Sequence, residues 1–417
     1  MSKKQFMKLF AILFIAVFAS AAILSSPASA LISQKVISWF WTSDTNVAAV
    51  ATGDVNGDGK TEIVTGGYFN DGNRWVTQLA VWNSSTLALV NVMTWYWTYS
   101  TQISSIAVAN ITGGTSLDII TGGSFFDGTH WNSQLCTWNG TTLALENVRV
   151  WNWAGDTEIS SVTVANISGT NALDIITGGS YYDGTRWVAQ LCTWNGATLA
   201  LENVRVWYWT GNTYINSVAA GDISGNKAIS IVTGGTYFDG TRNNAQLVVW
   251  NGSTLAFTNV VTWFWTGDTE INSIAVANVT GGTSLNIVTG GDFNDTARLN
   301  AQVAVWNGST LALQNVATWF TFSYTQINSV FVANYTGGSS LDIITGGVYN
   351  DGLRNNGQLE DLVGASLLVS SATTWFQTSD TSANSVAVGN LGLGNRIVVG
   401  GSYFDNTRSV AQLTIWG

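Results

Sequence analysis

The sequence contains very little proline, histidine, cysteine and charge. Its 417 residues include one Pro, one His and two Cys, and charged residues make up 10% of them, against roughly a quarter in typical soluble domains. So few His and Cys exclude most zinc sites and leave little for a histidine-based catalytic centre. The formal net charge of −10 argues against a nucleic-acid partner, because such surfaces need clustered Lys and Arg.

Glycine and tryptophan are the conspicuously abundant residues, with 44 and 21 copies. Aromatic residues at this density exclude a disordered chain, because they supply enough apolar surface to form a core. The glycine content also excludes a helical solenoid or a coiled coil, which is rich in Ala, Glu, Lys and Leu. The composition therefore favours a β-rich fold with many turns.

The longest apolar run lies at the N-terminus. Residues 9–24 carry no charge and follow Lys3, Lys4 and Lys8. Ala28 and Ala30 then place small residues before a cleavage point after Ala30, which is the pattern of a secretory signal. The run is shorter than the about 20 residues that cross a membrane. We predict a signal peptide at residues 1–30 and a secreted or extracellular mature chain without a membrane span; a retained N-terminal anchor is the alternative.

Seven copies of one unit fill the rest of the chain. The string Thr-Gly-Gly, with Val-Gly-Gly as its seventh copy, recurs at a spacing of 56 residues five times and then 54. Each unit has four segments rich in Val, Ile, Thr and aromatics, bounded by Gly, Asn or Asp, and none has a helical period. Four short strands in each of seven units predict an all-β fold, a seven-bladed β-propeller of four-stranded blades.

The two ends of the chain predict how the ring closes. The last unit stops at Trp416-Gly417, after its third strand, and lacks the aromatic Trp-x-Trp segment that forms the fourth. That segment stands instead at the N-terminus, as Trp39-Phe40-Trp41. We therefore expect residues 35–42 to pair with the strand ending at Trp416 and complete the seventh blade, which leaves no open seam. Residues 31–417 are predicted to form one domain.

The loop between the first two strands of blade one carries a metal-ligand pattern. Asp54, Asn56, Asp58 and Glu62 supply side-chain oxygens at positions 1, 3, 5 and 9, and Lys60 offers a backbone carbonyl at position 7. This spacing wraps a short loop around a hard cation, and it suits Ca²⁺ better than Mg²⁺. We predict one Ca²⁺ site here; a metal-free turn closed by Asx side chains is the alternative. The equivalent loops of the other blades lack most of these acids.

Residues 53–67 resemble the FG-GAP (VCBS-type) repeat of integrin-alpha-like β-propellers. The fold likeness extends over residues 31–417, whereas the calcium motif matches well only in blade one. The resemblance implies a seven-bladed propeller, Ca²⁺ in that loop, and extracellular adhesion or ligand binding. Some secreted lyases are built on similar propellers, so the family alone leaves catalysis open.

A polar pattern repeats in every unit: Asp, then Arg or His three residues later, then Gln four further on. Its first copy is Asp71, Arg74 and Gln78. Seven copies favour a structural role in the hairpins; a ring of hairpins that presents a binding face is the alternative.

The Trp pairs of the outer strands predict packing between blades, with sugar stacking as the alternative. Cys136 and Cys192 occupy the same position in adjacent blades, too far apart for a disulfide, and are predicted to be buried free thiols.

The sequence predicts a non-catalytic binding or adhesion module, secreted or at the cell surface, stabilised by Ca²⁺, with an unknown protein or carbohydrate ligand. Two alternatives remain: a polysaccharide-active enzyme of the lyase type, and a structural subunit of a surface assembly. Catalysis needs acids that break the repeat. Few exist, the main ones being Asp292, Glu360 and Asp361.

Overall fold

The computed structural model describes residues 31–417 except 171, 321, 322, 339 and 393. The predicted signal peptide, residues 1–30, lies outside the described residues. Within them the chain forms 28 β-strands and no helix, and accordingly none long and apolar enough to cross a membrane was found there. All strand pairs are antiparallel.

The strands group into seven four-stranded sheets. Blade one comprises β2 (Thr45–Gly53), β3 (Glu62–Asn70), β4 (Trp75–Asn83) and β5 (Leu89–Trp95). Blade two comprises β6 (Thr101–Ala109), β7 (Asp118–Phe126), β8 (Trp131–Asn139) and β9 (Leu145–Trp151). Blade three comprises β10 (Thr157–Ala165), β11 (Asp174–Tyr182), β12 (Trp187–Asn195) and β13 (Leu201–Trp207).

The remaining four blades follow the same order. Blade four comprises β14 (Thr213–Gly221), β15 (Ser230–Phe238), β16 (Asn243–Asn251) and β17 (Phe257–Trp263). Blade five comprises β18 (Thr269–Ala277), β19 (Asn286–Asn294), β20 (Leu299–Asn307) and β21 (Leu313–Trp319). Blade six comprises β22 (Tyr324–Ala333), β23 (Asp342–Asn350), β24 (Asn355–Val363) and β25 (Leu368–Trp375). Blade seven comprises β26 (Thr381–Asn390), β27 (Asn395–Phe404), β28 (Ser409–Trp416) and β1 (Ser33–Trp39).

The blades form a closed ring. The first strand of every blade contacts the first strands of both neighbouring blades, so these strands line the axis and the fourth strands form the rim. The 1–2 and 3–4 connections lie on one face of the disc, the first face. The 2–3 hairpins and the links between blades lie on the other, the second face. The predicted seven-bladed propeller is confirmed.

The N-terminal strand closes the ring as predicted. β1 pairs antiparallel with β28, with Ser33 opposite Trp416 and Trp39 opposite Ala411. Blade seven therefore has its fourth strand, although it comes from the other end of the chain. The regular strand begins two residues before the predicted segment and ends at Trp39. Phe40 and Trp41 continue past it onto the second face.

The two glycines of each Thr-Gly-Gly string sit in the middle of a strand, where they permit close packing. A Cβ atom at Gly66 would lie 2.4 Å from Cδ1 of Ile106 in the next blade, and one at Gly67 would lie 2.0 Å from the carbonyl oxygen of Asn46. The second contact arises because the inner strand has a β-bulge between Val47 and Ala49. The glycines thus let one inner strand bulge and the adjacent blade press close.

Tryptophan side chains join neighbouring blades. At six junctions a Trp at the end of a fourth strand packs on a Trp in the third strand of the next blade. The ring centroids lie 4.5–4.9 Å apart in the pairs Trp39–Trp82, Trp95–Trp138, Trp151–Trp194, Trp207–Trp250, Trp263–Trp306 and Trp375–Trp416. This confirms the prediction that the Trp residues pack between blades. Cys136 and Cys192 are buried free thiols, also as predicted.

Candidate functional site

The β2–β3 loop on the first face folds around the carboxylate of Asp54. Its Oδ1 accepts hydrogen bonds from the N–H groups of Gly57 (2.8 Å) and Asp58 (3.0 Å), and its Oδ2 accepts one from Gly59 (2.8 Å). Asn56 and Asp58 each accept a further backbone N–H two residues on. Gly57 and Gly59 have positive φ angles of 75° and 83°, which glycine adopts without strain.

Glu62 brings a third carboxylate to this loop. It is the first residue of β3, is only 3% exposed, and accepts a hydrogen bond from the N–H of Val55 at 3.1 Å. Burial raises its pKa, and the negative charges of Asp58 and Asp54 raise it further. The three acids therefore repel one another, and a divalent cation between them would relieve that repulsion.

The donor set of this loop fits a hard cation such as Ca²⁺, which prefers carboxylate, amide and carbonyl oxygens. The predicted ligands Asp54, Asn56, Asp58 and Glu62 all belong to this short loop, and Lys60 lies between the last two. Among the described residues, however, no group of three or more Asp, Glu, His or Cys side chains is arranged so that it could hold a metal ion. The calcium site therefore stays a prediction.

In the other blades, hydrogen bonds close the same loop. Where the first position is Asn110, Asn166 or Asn278, the side-chain oxygen accepts the N–H of the third residue after it. Asn334 of blade six donates its side-chain N–H to the carbonyl of Gly338. In blade four, Asp222 accepts the N–H groups of Asn226 and Lys227. The ninth position also accepts loop N–H groups, as Asp118 does from Ile111 and Thr112. The loop shape thus persists without the acids that only blade one retains.

The hairpins of the second face hold the repeated Asp and Arg. In blade one, Asp71 accepts the N–H of Arg74 at 2.9 Å, and the two side chains form an ion pair at 3.6 Å. In six blades the Arg guanidinium also lies over the aromatic ring that directly follows the last Trp of the fourth strand of the same blade, at 4.1–4.5 Å from its centroid. These pairs are Arg74–Tyr96, Arg186–Tyr208, Arg242–Phe264, Arg298–Phe320, Arg354–Phe376 and Arg408–Phe40.

Sequence reasoning missed this cation–π contact, although blade two carries the signal for it. There His130 stands for the Arg and Asn152 for the aromatic residue, so both members change together. His130 instead lies 3.5 Å from Asp156.

We expect the double change His130→Arg with Asn152→Tyr to stabilise the protein by about 0.5–1 kcal/mol, measured by urea unfolding. The reverse double change in blade one, Arg74→His with Tyr96→Asn, should lower the stability of the protein. If both double changes altered stability in the same direction, the contribution of the contact would be contradicted.

The Gln of the repeated pattern links adjacent blades. Gln78 accepts hydrogen bonds from the indole N–H groups of Trp39 (3.1 Å) and Trp41 (2.8 Å), which both belong to the preceding blade. The same junction bonds recur at Gln134, Gln190, Gln246, Gln302 and Gln412. These contacts support the structural interpretation of the repeated pattern.

Asp292 is an acid that only blade five carries at its position. It lies directly opposite Glu270 in the β18–β19 pair and is 3% exposed. Burial, and then the charge of Glu270, raise the pKa of Asp292 to about 7. Its carboxylate accepts a hydrogen bond at 2.9 Å from Asn272, which also donates to the carbonyl of Ile327 in blade six. The residue is therefore part of a junction between blades.

Blade six breaks the repeat at Glu360, Asp361 and Leu362. Leu362 replaces the Trp of the third strand, so the junction between blades five and six lacks the Trp–Trp contact. Glu360 is 6% exposed and takes a hydrogen bond at 2.7 Å from Gln358. Among the described residues, Oε2 of Glu360 and the indole N–H of Trp319 have no partner. Burial raises the pKa of Glu360 to about 8.

Glu360 and Asp361 do not form a catalytic pair. As consecutive strand residues they point to opposite faces of the blade, and Asp361 is fully buried. Burial and the charge of Asp342 raise the pKa of Asp361 to about 6. Two open crevices of about 280 and 290 Å³ lie on the second face, the first beside Asp380 and the second beside Asp268, and neither includes Asp292, Glu360 or Asp361.

The sequence model of the FG-GAP repeat family matches residues 46–81 of the chain. These residues run from β2 through the candidate calcium loop into β4. The first blade is an FG-GAP repeat. The prediction of an FG-GAP-type seven-bladed propeller is confirmed, because the other six blades repeat the architecture of the first.

The solved structure of Raptor supports the fold alone. Raptor of Chaetomium thermophilum superposes with a TM-score of 0.55 at 10% identity over 91% of this chain, which spans 29% of the Raptor chain. Sqt1 of the same organism, bound to the N-terminus of ribosomal protein L10, gives a TM-score of 0.49 at 13% identity, with 94% of this chain and 99% of that chain covered. No curated protein matches the sequence.

Proposed function

We propose that this FG-GAP-type propeller is a calcium-stabilised, non-catalytic binding module, secreted or at the cell surface, for a protein or carbohydrate ligand. The observation that carries the proposal is the loop of blade one. Asp54, Asp58 and Glu62 come together there within a hydrogen-bonded loop, and the equivalent loops of the other blades lack this combination of acids. A rigid frame that holds variable loops is the usual arrangement of a binding surface.

The second face offers the more suitable ligand surface. Exposed aromatic rings lie there beside the polar hairpins, among them Tyr96, Trp97, Tyr99, Tyr182 and Phe238. Aromatic rings next to Asp, Asn and Arg groups suit a carbohydrate or a protein loop, since both present apolar patches and hydroxyl or amide groups.

The arrangement of the blade-specific acids supports a non-catalytic role. A lyase or hydrolase needs an acid and a base that reach one substrate. Asp292, Glu360 and Asp361 are each nine-tenths or more buried, and they occupy different blades or opposite faces of one blade. None of them lines the crevices of the second face.

A glycan array combined with a reducing-sugar release assay tests the proposed function. We expect saturable binding of a subset of glycans, or of an extracellular protein in a parallel array, and no release of product. Triple replacement of Tyr96, Trp97 and Tyr99 by Ala should weaken binding, whereas Val150→Ala on the rim should not. Product release at turnover rates would overturn the non-catalytic assignment.

The proposed calcium site predicts a metal-dependent stability. When bound, Ca²⁺ would neutralise Asp54, Asp58 and Glu62 and tie the loop to β3 with the help of Asn56 and the Lys60 carbonyl. Sub-millimolar Ca²⁺ at a hundredfold excess over Kd should stabilise the protein by about 2.7 kcal/mol. Calorimetric melts in EDTA and in Ca²⁺ measure this difference.

Two variants locate the site. Asp58→Ala should remove the response to sub-millimolar Ca²⁺, because it takes a carboxylate from the proposed donor set. Asp222→Ala in the equivalent loop of blade four should lower stability in both buffers and leave the response intact. A parent protein whose melting temperature ignores Ca²⁺ would show that the loop is only a turn.

A further inference from the structure

Two positions on the first face of each blade face one another at the edge of the sheet. One is the residue directly before the fully buried Ile near the start of the second strand, and the other is the second residue of the fourth strand. In blade five these positions hold Asn286 and Gln314, and Asn286 donates a hydrogen bond to Gln314 at 2.7 Å. In blade seven they hold Arg396 and Gln34, and the Arg donates to Gln34 at 3.1 Å. Both pairs match a donor with an acceptor.

In blade three the same positions hold two carboxylates, Asp174 and Glu202. Oδ2 of Asp174 accepts the N–H groups of Ile167 (3.1 Å) and Ser168 (2.9 Å). Asn286 uses its own Oδ1 in the same way, and its remaining terminal atom contacts Gln314. By this equivalence the remaining oxygen of Asp174, Oδ1, is directed toward Glu202.

That oxygen has no hydrogen-bond partner among the described residues, although Asp174 is only 1% exposed. Glu202 is the acid beside it: after burial, the charge of Asp174 is the next cause that raises the pKa of Glu202, and a hydrogen bond with Asn195 opposes both. Of the ion pairs formed within the described part of the chain, none involves Asp174 or Glu202. Two acceptors thus occupy the positions where blades five and seven place a donor and an acceptor.

We propose that Asp174 and Glu202 bind a hard divalent cation, Ca²⁺, at the first face of blade three. Carboxylate oxygens are the ligands that Ca²⁺ prefers, and two of them leave several coordination positions to water. So few protein charges predict weak binding, with Kd of about 10⁻⁴–10⁻³ M. The proposed site uses an outer-strand acid and not the first, third and fifth loop positions, so it differs in kind from the candidate loop of blade one.

Blade two provides a matched comparison. It carries Asp118 and Glu146 at the same positions, but Thr112 donates its hydroxyl to the carboxylate of Asp118, at 3.0 Å to Oδ2 and 3.2 Å to Oδ1. In blade three the corresponding hydroxyl, on Ser168, lies 2.8 Å from that of Thr170 instead. Asp118 thus has a donor that Asp174 lacks, and blade two should bind Ca²⁺ more weakly than blade three.

Equilibrium dialysis against Ca²⁺ at neutral pH tests the proposal, with Asp58→Ala as the background so that blade one does not contribute. We expect one bound Ca²⁺ in the millimolar range in that background. Glu202→Gln should weaken its binding at least tenfold, and Glu146→Gln should leave it unchanged. Glu202→Gln introduces the residue type found at Gln314 in blade five, so the variant is expected to fold, which near-ultraviolet circular dichroism checks.

A second measurement separates a cation from a shared proton. The double variant Asp174→Asn with Glu202→Gln recreates the amide pair of blade five and should melt at the same temperature with and without millimolar Ca²⁺, whereas the Asp58→Ala parent should melt higher with Ca²⁺. Absence of millimolar binding in the Asp58→Ala background, or equal loss with Glu146→Gln, would overturn the proposal. Neither result depends on the loop of blade one.

Discussion

Deletion of residues 31–44 should lower stability by more than about 5 kcal/mol, a large part of the 5–15 kcal/mol that holds most domains together. The deletion removes β1 and leaves β28 as an unpaired apolar edge, which invites aggregation. It also removes the Trp39–Trp82 contact at 4.7 Å and both indole hydrogen bonds to Gln78. The junction between blades seven and one therefore fails together with blade seven itself.

Calorimetry and size-exclusion chromatography measure the effect of this deletion. Trp39→Ala alone should cost about 2–3 kcal/mol, at or just below the ~3–5 kcal/mol typical of truncating a buried Phe or Trp, because Trp39 is partly exposed. Ile32→Ala, at a side chain that is 67% exposed, is the matched control and should change stability by less than about 0.5 kcal/mol. A deletion variant that stays monomeric and melts within a degree or two of the parent would contradict the role of β1.

Replacement of Glu360 by Val should stabilise the protein at pH 8 by on the order of 2–4 kcal/mol. Val occupies the equivalent position in blade four, at Val248. The change removes a buried carboxyl whose Oε2 has no partner among the described residues. It also releases Gln358 from its hydrogen bond to Glu360, so that Gln358 can accept an indole N–H across the junction, as the equivalent Gln residues of other blades do.

The stabilisation by Glu360→Val should increase as the pH rises. Burial holds the pKa of Glu360 at about 8 in the folded protein, whereas in the unfolded chain it is about 4.3. Between these values the unfolded state releases a proton that the folded state keeps, so the stability of the parent falls as pH rises from about 4.3 to 8. The parent–variant difference should therefore be smallest near pH 4 and largest near pH 8. Urea unfolding at both pH values measures it, and a pH-independent difference would contradict the burial of Glu360.

The sequence predicted the blade count and the closure because both depend on residues that recur at fixed spacing. The Thr-Gly-Gly strings and the Trp-x-Trp segments mark the second and fourth strands, and a missing copy at one end with a surplus copy at the other identifies the closing strand. The Trp junctions followed from the same regularity, since each aromatic side chain needs a neighbouring blade to cover it.

Contacts between strands that are distant in sequence could not be predicted in the same way. The Arg74–Tyr96 contact and the Asp174–Glu202 pair depend on the register of paired strands, which the sequence does not state. The unpartnered groups of Trp319 and Glu360 appear only once Leu362 is seen to face the preceding blade. The affinity of the calcium loop depends on where its oxygens lie to within a few tenths of an ångström, and residue spacing does not determine that.

The poor junction between blades five and six has a consequence for how the protein withstands mutation. In a linear array, one weak link separates two fragments. In a closed ring, the remaining six junctions still hold blades five and six in register, so the loss at one junction is shared by the whole circle. A second defect elsewhere would free the arc between the two. The ring thus tolerates one weak junction and becomes fragile at two, so each of the other six Trp contacts contributes more to the integrity of the ring than it would if all seven junctions were complete.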